Sequence, residues 1–149
     1  MPEKETIERA KKDKREGKAP STQAGEFVKE EIEHIREGKH GARSAKQAIA
    51  IGLSKARRAG VNLPPPEKGK TSEETREQAT RDLRKGKTSS KSKPSAKRSR
   101  ASTKALKREG RAAASKTALS RHATKAAKSR SKAERSRSAK KAARTRNKT

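Results

Sequence analysis

The stretch SAKQAIAIGLSKARRAG, residues 44–60, decides the fold of this chain. Ser44 and Gln47 have capping-box spacing, in which two side chains satisfy backbone N–H groups that a helix start leaves open. Ala45, Ala48, Ile49, Gly52, Leu53 and Ala56 recur at helical spacing and make one apolar stripe. Gly60 stands where a helix end favours a residue in the left-handed region. Gly52 lies on the stripe itself, which predicts that another helix comes close there.

That second helix is read just upstream. Val28, Ile32 and Ile35 fall at i, i+4 and i+7 with Phe27 beside them. Ser21 or Thr22 is expected to cap it, and Gly38 to stop it after about Glu37. The expectation is a two-helix hairpin over residues 21–63, joined by Gly38 to Arg43. Val61 and Leu63 fold back over its end before Pro64-Pro65-Pro66 turns the chain outward. So few large apolar side chains make a marginal core. Ile51, on the far side of its helix from the stripe, is expected to be exposed and to invite a partner: residues 1–17, a second copy or another protein.

The flanks are more polar. Residues 1–20 read as a charged N-terminal helix, with Ile7 the only large apolar residue between residues 3 and 17 and no visible core face. Its support comes from pairs such as Glu5/Arg9 and Glu8/Lys12. Residues 64–70 read as a stiff Pro-rich spacer, and residues 71–86 as a second charged helix ending at Gly86. Residues 87–149 are a Lys/Arg/Ala/Ser-rich tail, linker-like from Lys87 to Arg100 around Pro94. An approximate repeat relates residues 120–130 to residues 136–146. Ala, Lys and Arg favour helix, but like charges at i,i+4 oppose it. The expected fold class is therefore mostly α: a small two-helix hairpin, flanking charged helices and a long, largely disordered basic tail.

Charge is distributed as unevenly as order. Residues 87–149 hold 23 Lys or Arg against two acids, Glu109 and Glu134, so the tail carries +21 of a net +27. Self-repulsion of this kind opposes compaction, and its natural counter-ion is a polyanion. Candidate nucleic-acid contacts are Lys97, Arg98, Arg100, Lys104, Lys107, Arg108, Arg111, Lys116, Arg121, Lys125, Lys128, Arg130, Arg135, Arg137, Lys140, Lys141, Arg144 and Arg146. Lys39, Arg43 and Lys46, at the start of the second hairpin helix, are a further candidate phosphate clamp.

Several function classes lose support. Phe27 is the sole Phe, Tyr or Trp, so the stacking platforms of single-strand and RNA-recognition modules are missing. No zinc-finger, zipper or homeodomain signature suggests base readout. There is no cysteine for thiol chemistry, disulfides or zinc–thiolate sites. His34, His40 and His122 look too scattered for a metal set, so no metal, no cofactor and no enzymatic activity are expected. Neither a signal peptide nor a membrane span is read, which points to the cytoplasm and the nucleoid.

Two resemblances accompany these readings. At Pro20-Ser21-Thr22-Gln23-Ala24-Gly25-Glu26-Phe27-Val28 and in the block KQAIAIGLSKAR, residues 46–57, the chain resembles a bacterial and phage family of small basic proteins without known activity. That likeness covers roughly residues 1–66 and implies a bacterial origin. By composition alone, the tail resembles the Lys/Ala/Ser-rich extensions of linker-histone-like nucleoid proteins. The expected function is non-sequence-specific binding of duplex DNA through the tail. The alternatives are an RNA- or ribosome-associated protein, and an adaptor that binds a protein partner or a second copy through residues 21–63.

Overall fold

The computed structural model describes residues 1–88, 93 and 95–148. Among them are seven α-helices: α1 Lys4–Arg15, α2 Pro20–Arg36, α3 Ala45–Arg58, α4 Glu73–Lys87, α5 Ala96–Lys107, α6 Lys116–Lys128 and α7 Lys132–Arg146. A 3₁₀ turn, Ala112–Ala114, precedes α6. Residues 89–92 and Pro94, at the centre of the expected linker, lie outside the described residues.

The hairpin is α2 and α3. Its starts differ in kind. Ser44 caps α3, its hydroxyl accepting from Gln47 N at 3.2 Å, while the Gln47 side chain accepts from Arg43 N at 2.7 Å, one residue before the capping-box position. Neither Ser21 nor Thr22 caps α2; its N-cap is Ala19 and Pro20 takes the first turn. Proline suits that place because its missing N–H would have no helical partner and its φ is already helical. The ends share one device. Gly17, Gly38 and Gly60 follow α1, α2 and α3 with φ of 74°, 79° and 98°. At each, the next residue's N–H returns to a carbonyl of the last turn: Lys18 to Asp13, Lys39 to His34 and Val61 to Ala56.

Gly52 lets the two helices touch. A Cβ built there would lie 2.7 Å from Val28 Cα, so only glycine admits this separation. On one side of the contact Ile32, Ile35, Ala42 and Ala48 are buried with Ala113 and Ala114, and Val28 and Leu119 pack against them. On the other, Phe27, Ala24 and Ala56 are buried with Ala10 and Val61, flanked by Ile7, Leu53 and Leu63.

The flanking helices belong to this body more than their sequences suggest. α1 has a buried face after all: Thr6, Ala10 and Asp13, at i, i+4 and i+7, lie against α2. Small and polar residues make that face, which is why apolar spacing misses it. Arg9 holds it down, its Nε donating to Glu26 and its Nη1 to Glu5, each at 2.6 Å. α4 packs on α3 through Ala79 and Asp82. Asp82 is buried and accepts from Ser54 Oγ and Arg58 Nε, both at 2.7 Å. α4 runs one residue past Gly86 to Lys87, and Gly86 serves a close approach, since a Cβ there would meet the Arg57 carbonyl. With these neighbours on α3, Ile51 is half-buried rather than exposed, and Met1 is the exposed large hydrophobic among the described residues.

The basic segment departs furthest from expectation, forming α5, α6 and α7 instead of a disordered chain. Ala, Lys and Arg lose little on entering a helix, and serines punctuate them. Ser115 accepts from Ala118 N at 3.1 Å, and Ser131 and Glu134 complete a reciprocal capping box. Local propensity in α5, joined by a capping box in α7, thus outweighs like-charge repulsion in these two helices, which bury nothing. α6 also gains an anchor, since Leu119 reaches the hairpin core.

Two glycines should respond oppositely to alanine. Gly52→Ala forces α2 and α3 apart and should cost about 1–3 kcal/mol in urea unfolding. Gly25, exposed inside α2 with nothing within 4 Å of its would-be Cβ, should gain up to about 1 kcal/mol as Ala.

Candidate nucleic-acid interface

The eighteen tail cations expected to meet phosphate are all exposed. Lys97, Arg98, Arg100, Lys104 and Lys107 lie on α5, with Arg108 at its end; Arg111 precedes the 3₁₀ turn. Lys116, Arg121, Lys125 and Lys128 lie on α6, and Arg130 follows it. Arg135, Arg137, Lys140, Lys141, Arg144 and Arg146 lie on α7.

Helix formation reveals an order that composition conceals. Ser99-Arg100-Ala101-Ser102-Thr103-Lys104-Ala105-Leu106-Lys107 on α5 matches Ser120-Arg121-His122-Ala123-Thr124-Lys125-Ala126-Ala127-Lys128 on α6. Ser136-Arg137-Ser138-Ala139-Lys140-Lys141-Ala142-Ala143-Arg144 on α7 is a third copy. The shared pattern, Ser-Arg-x-x-x-Lys-Ala-x-Lys/Arg, sets three cations at i, i+4 and i+7. That is one helix face, about 10 Å long at 1.5 Å per residue. On α5 the face is Ser99, Arg100, Thr103, Lys104, Lys107 and Arg108; on α6 it is Ser120, Arg121, Thr124, Lys125 and Lys128. On both, a hydroxyl residue directly precedes each of the first two cations. The copy at residues 99–107 escaped the sequence reading because it stands 21 residues upstream of the next, whereas the other two are 16 apart.

The segment's two acids turn away from these faces. Glu109 Oε1 lies 3.8 Å from Arg43 Nε. Glu134 Oε2 accepts from Ser131 N at 2.8 Å, and its Oε1 lies 3.7 Å from Lys70 Nζ. The hydrogen bonds from Ser131 hold the Glu134 carboxyl below its ordinary pKa, with Lys70 adding to the effect. Both acids therefore tie the segment to the rest of the chain, with Glu134 also near Arg137.

The body receives the basic segment at the hairpin loop. Gly41 N donates to Leu106 O at 2.9 Å and Ala42 N to Gly110 O at 3.1 Å. A Cβ on Gly41 would meet the Glu109 carbonyl, so this docking also requires glycine. Arg36 Nε donates to Ala114 O at 2.9 Å from the side.

This docking bears on the loop's phosphate clamp. Lys39 lies 3.1 Å from Glu37 and 3.4 Å from Glu3, and the hydrogen bonds to them raise its pKa. Arg43 faces Glu109, and Lys46 is exposed on α3. Two of the three candidates thus have carboxylate partners within the chain. Arg57 and Arg58 are structural: Arg57 donates to the Leu63 and Pro64 carbonyls, each at 3.2 Å, and Arg58 to Asp82.

The fold also brings together side chains that the sequence leaves apart. His34 and His40 stand edge to face with ring centroids 6.3 Å apart, and one donor atom from each lies within 4.8 Å of a Glu31 oxygen. Their proximity comes from the turn at Gly38, which returns the loop along the last turn of α2. His122 lies on α6 and does not join them.

A family described as one of unknown function (DUF6496) matches residues 3–68, from α1 through the proline run after α3. Over that span the chain is similar to an uncharacterised family, while α4 to α7 lie beyond the match. No curated protein and no solved structure matches the chain. Among the described residues, no helix is long and apolar enough to cross a membrane.

The Glu134 cap makes a pH prediction. Its pKa is lowered in the folded state, so its contribution is whole above the ordinary value of 4.5 and is lost as pH falls through the lower folded value. The Ser131 amide proton should titrate with a midpoint below 4.5 in NMR spectra, and Glu134→Gln should abolish that titration.

Proposed function

We propose that this protein binds nucleic acid, duplex DNA before RNA, through phosphate contacts and without reading sequence. The observation that carries this reading is the basic face repeated on α5, α6 and α7, three exposed cations in each copy, with Glu109 facing Arg43 and Glu134 facing Lys70. A duplex offers one negative charge per about 1.7 Å of axis. A row of three cations along about 10 Å of helix can follow such a backbone, and the serine and threonine hydroxyls beside them supply further donors. The faces carry no aromatic and no Asn or Gln, so they hold neither a stacking platform nor the common readers of adenine. This supports backbone contact and a role like that of nucleoid-associated proteins. The hairpin body serves as the platform on which the basic helices are mounted.

The test is fluorescence anisotropy with a short labelled duplex over a series of salt concentrations. The logarithm of affinity should fall linearly with the logarithm of salt, equally for unrelated sequences. Replacing Arg121, Lys125 and Lys128 together by Gln should reduce the slope by about 2.7, at about 0.9 per lost phosphate contact. Salt-insensitive binding or a marked sequence preference would sink the proposal. Structured RNA that displaces the duplex at equal concentration would transfer the reading to RNA.

A further inference from the structure

The cluster of Glu31, His34 and His40 lies away from the basic faces and has a chemistry of its own. Glu31 is 1% exposed, and its Oε2 accepts from Lys55 Nζ at 2.6 Å. Its other oxygen, Oε1, lies 2.9 Å from His40 Nε2 but accepts no hydrogen bond. A buried carboxylate oxygen without a donor is costly, and one this close to an imidazole nitrogen needs a proton or a metal ion to join the two.

The tautomer sharpens the point. His40 Nδ1 lies 2.9 Å from the Gly41 carbonyl, which can only accept, so Nδ1 carries the proton. With Nδ1 engaged, Nε2 is the ring nitrogen left to meet Glu31 Oε1, through a proton or through a metal ion. A backbone carbonyl holding one imidazole N–H while the other nitrogen is bare is the usual outer support of a metal-bound histidine.

Local charge points the same way. Glu30 is also buried, with Oε1 lacking a hydrogen-bond partner, and both carboxylates share the single Lys55 ammonium at 2.6 and 3.9 Å. Two buried carboxylates beside one ammonium leave a need for further positive charge, which a proton on His40 or a divalent ion can fill.

We propose that Glu31, His34 and His40 bind one divalent transition-metal ion, with zinc the best match to two imidazoles and a carboxylate. Such a donor set suits zinc and leaves a fourth position open. Ligands about 2.0–2.1 Å from a tetrahedral ion stand about 3.3 Å from one another. The three donors already lie within 4.8 Å of one another. Both imidazoles are 14% exposed, which gives the ion a way in. Glu3 Oε1, 2.9 Å from His34 Nε2, supplies an outer carboxylate.

The ion's role is to fasten the loop. Glu31 and His34 are on α2, and His40 is in the loop whose next two residues, Gly41 and Ala42, hold the basic segment at Leu106 and Gly110. Metal at this site therefore fixes the surface on which the nucleic-acid-binding helices are mounted, and the proposal stands whether or not those helices bind DNA.

The experiment uses the full chain stripped by a chelator and titrated with zinc by calorimetry and with cobalt(II) by visible absorption. One ion per chain should bind, with the absorption of a low-coordinate cobalt site and a rise in Tm. His34→Ala and His40→Ala should each weaken binding more than about tenfold while His122→Ala leaves it unchanged. Should a variant lose its helical circular dichroism, the wild-type imidazole resonances decide: zinc should shift those of His34 and His40 but not His122. The proposal is overturned if no saturable binding occurs, if folded His34→Ala and His40→Ala variants bind as the wild type does, or if zinc shifts His122 instead.

Discussion

The rest of the structure depends on how closely α2 and α3 approach at Gly52 and Val28. Those two helices alone bury too little apolar surface to stand, and the contact concentrates what there is into two small clusters, one on each side. Four further pieces attach to these clusters. α1 and the Val61–Leu63 return close the side around Phe27, while the 3₁₀ turn and Leu119 close the side around Ile35. A hairpin opened by a single methyl group would loosen both at once.

That arrangement makes the basic segment part of the fold without making all of it part of the core. Ala113, Ala114 and Leu119 are its apolar anchors, and Gly41 admits the backbone that leads to them. α5 and α7 bury nothing and stand through propensity and, in α7, a capping box. Anchor and charge are thereby separated: the residues that hold the segment in place are small and apolar, and its eighteen candidate cations remain on the surface.

How much was legible follows from what each element is built of. The hairpin could be read because Val28, Ile32 and Ile35 are large, regularly spaced and bounded by Gly38, and because Ser44 and Gly60 bracket the second helix. α1 could not, since Thr6, Ala10 and Asp13 form a buried face whose partners lie in α2. Gly86 reads locally as a stop and acts as a point of approach, a distinction that only the Arg57 carbonyl across the gap can make. The basic helices were hidden by repulsion that counts pair by pair, whereas caps and propensity act over a whole segment. His34 and His40, six residues apart, were separable in sequence and became neighbours only through the turn at Gly38. Of the basic face, the residue types were legible from composition; the shared orientation needed the third copy of the pattern.

The uneven spacing of those copies, 21 residues and then 16, has a consequence for how such a chain can change over time. A solenoid must keep its period because each unit stacks on the last. Here the unit on α7 brings its own cap, has no buried residue and is fastened back through Glu134 to Lys70 rather than through a neighbouring copy. Units of this kind can be duplicated, lost or respaced without repacking anything beneath them. Valency toward a polyanion then becomes a quantity set by copy number, adjustable in steps of one helix while the body stays the same.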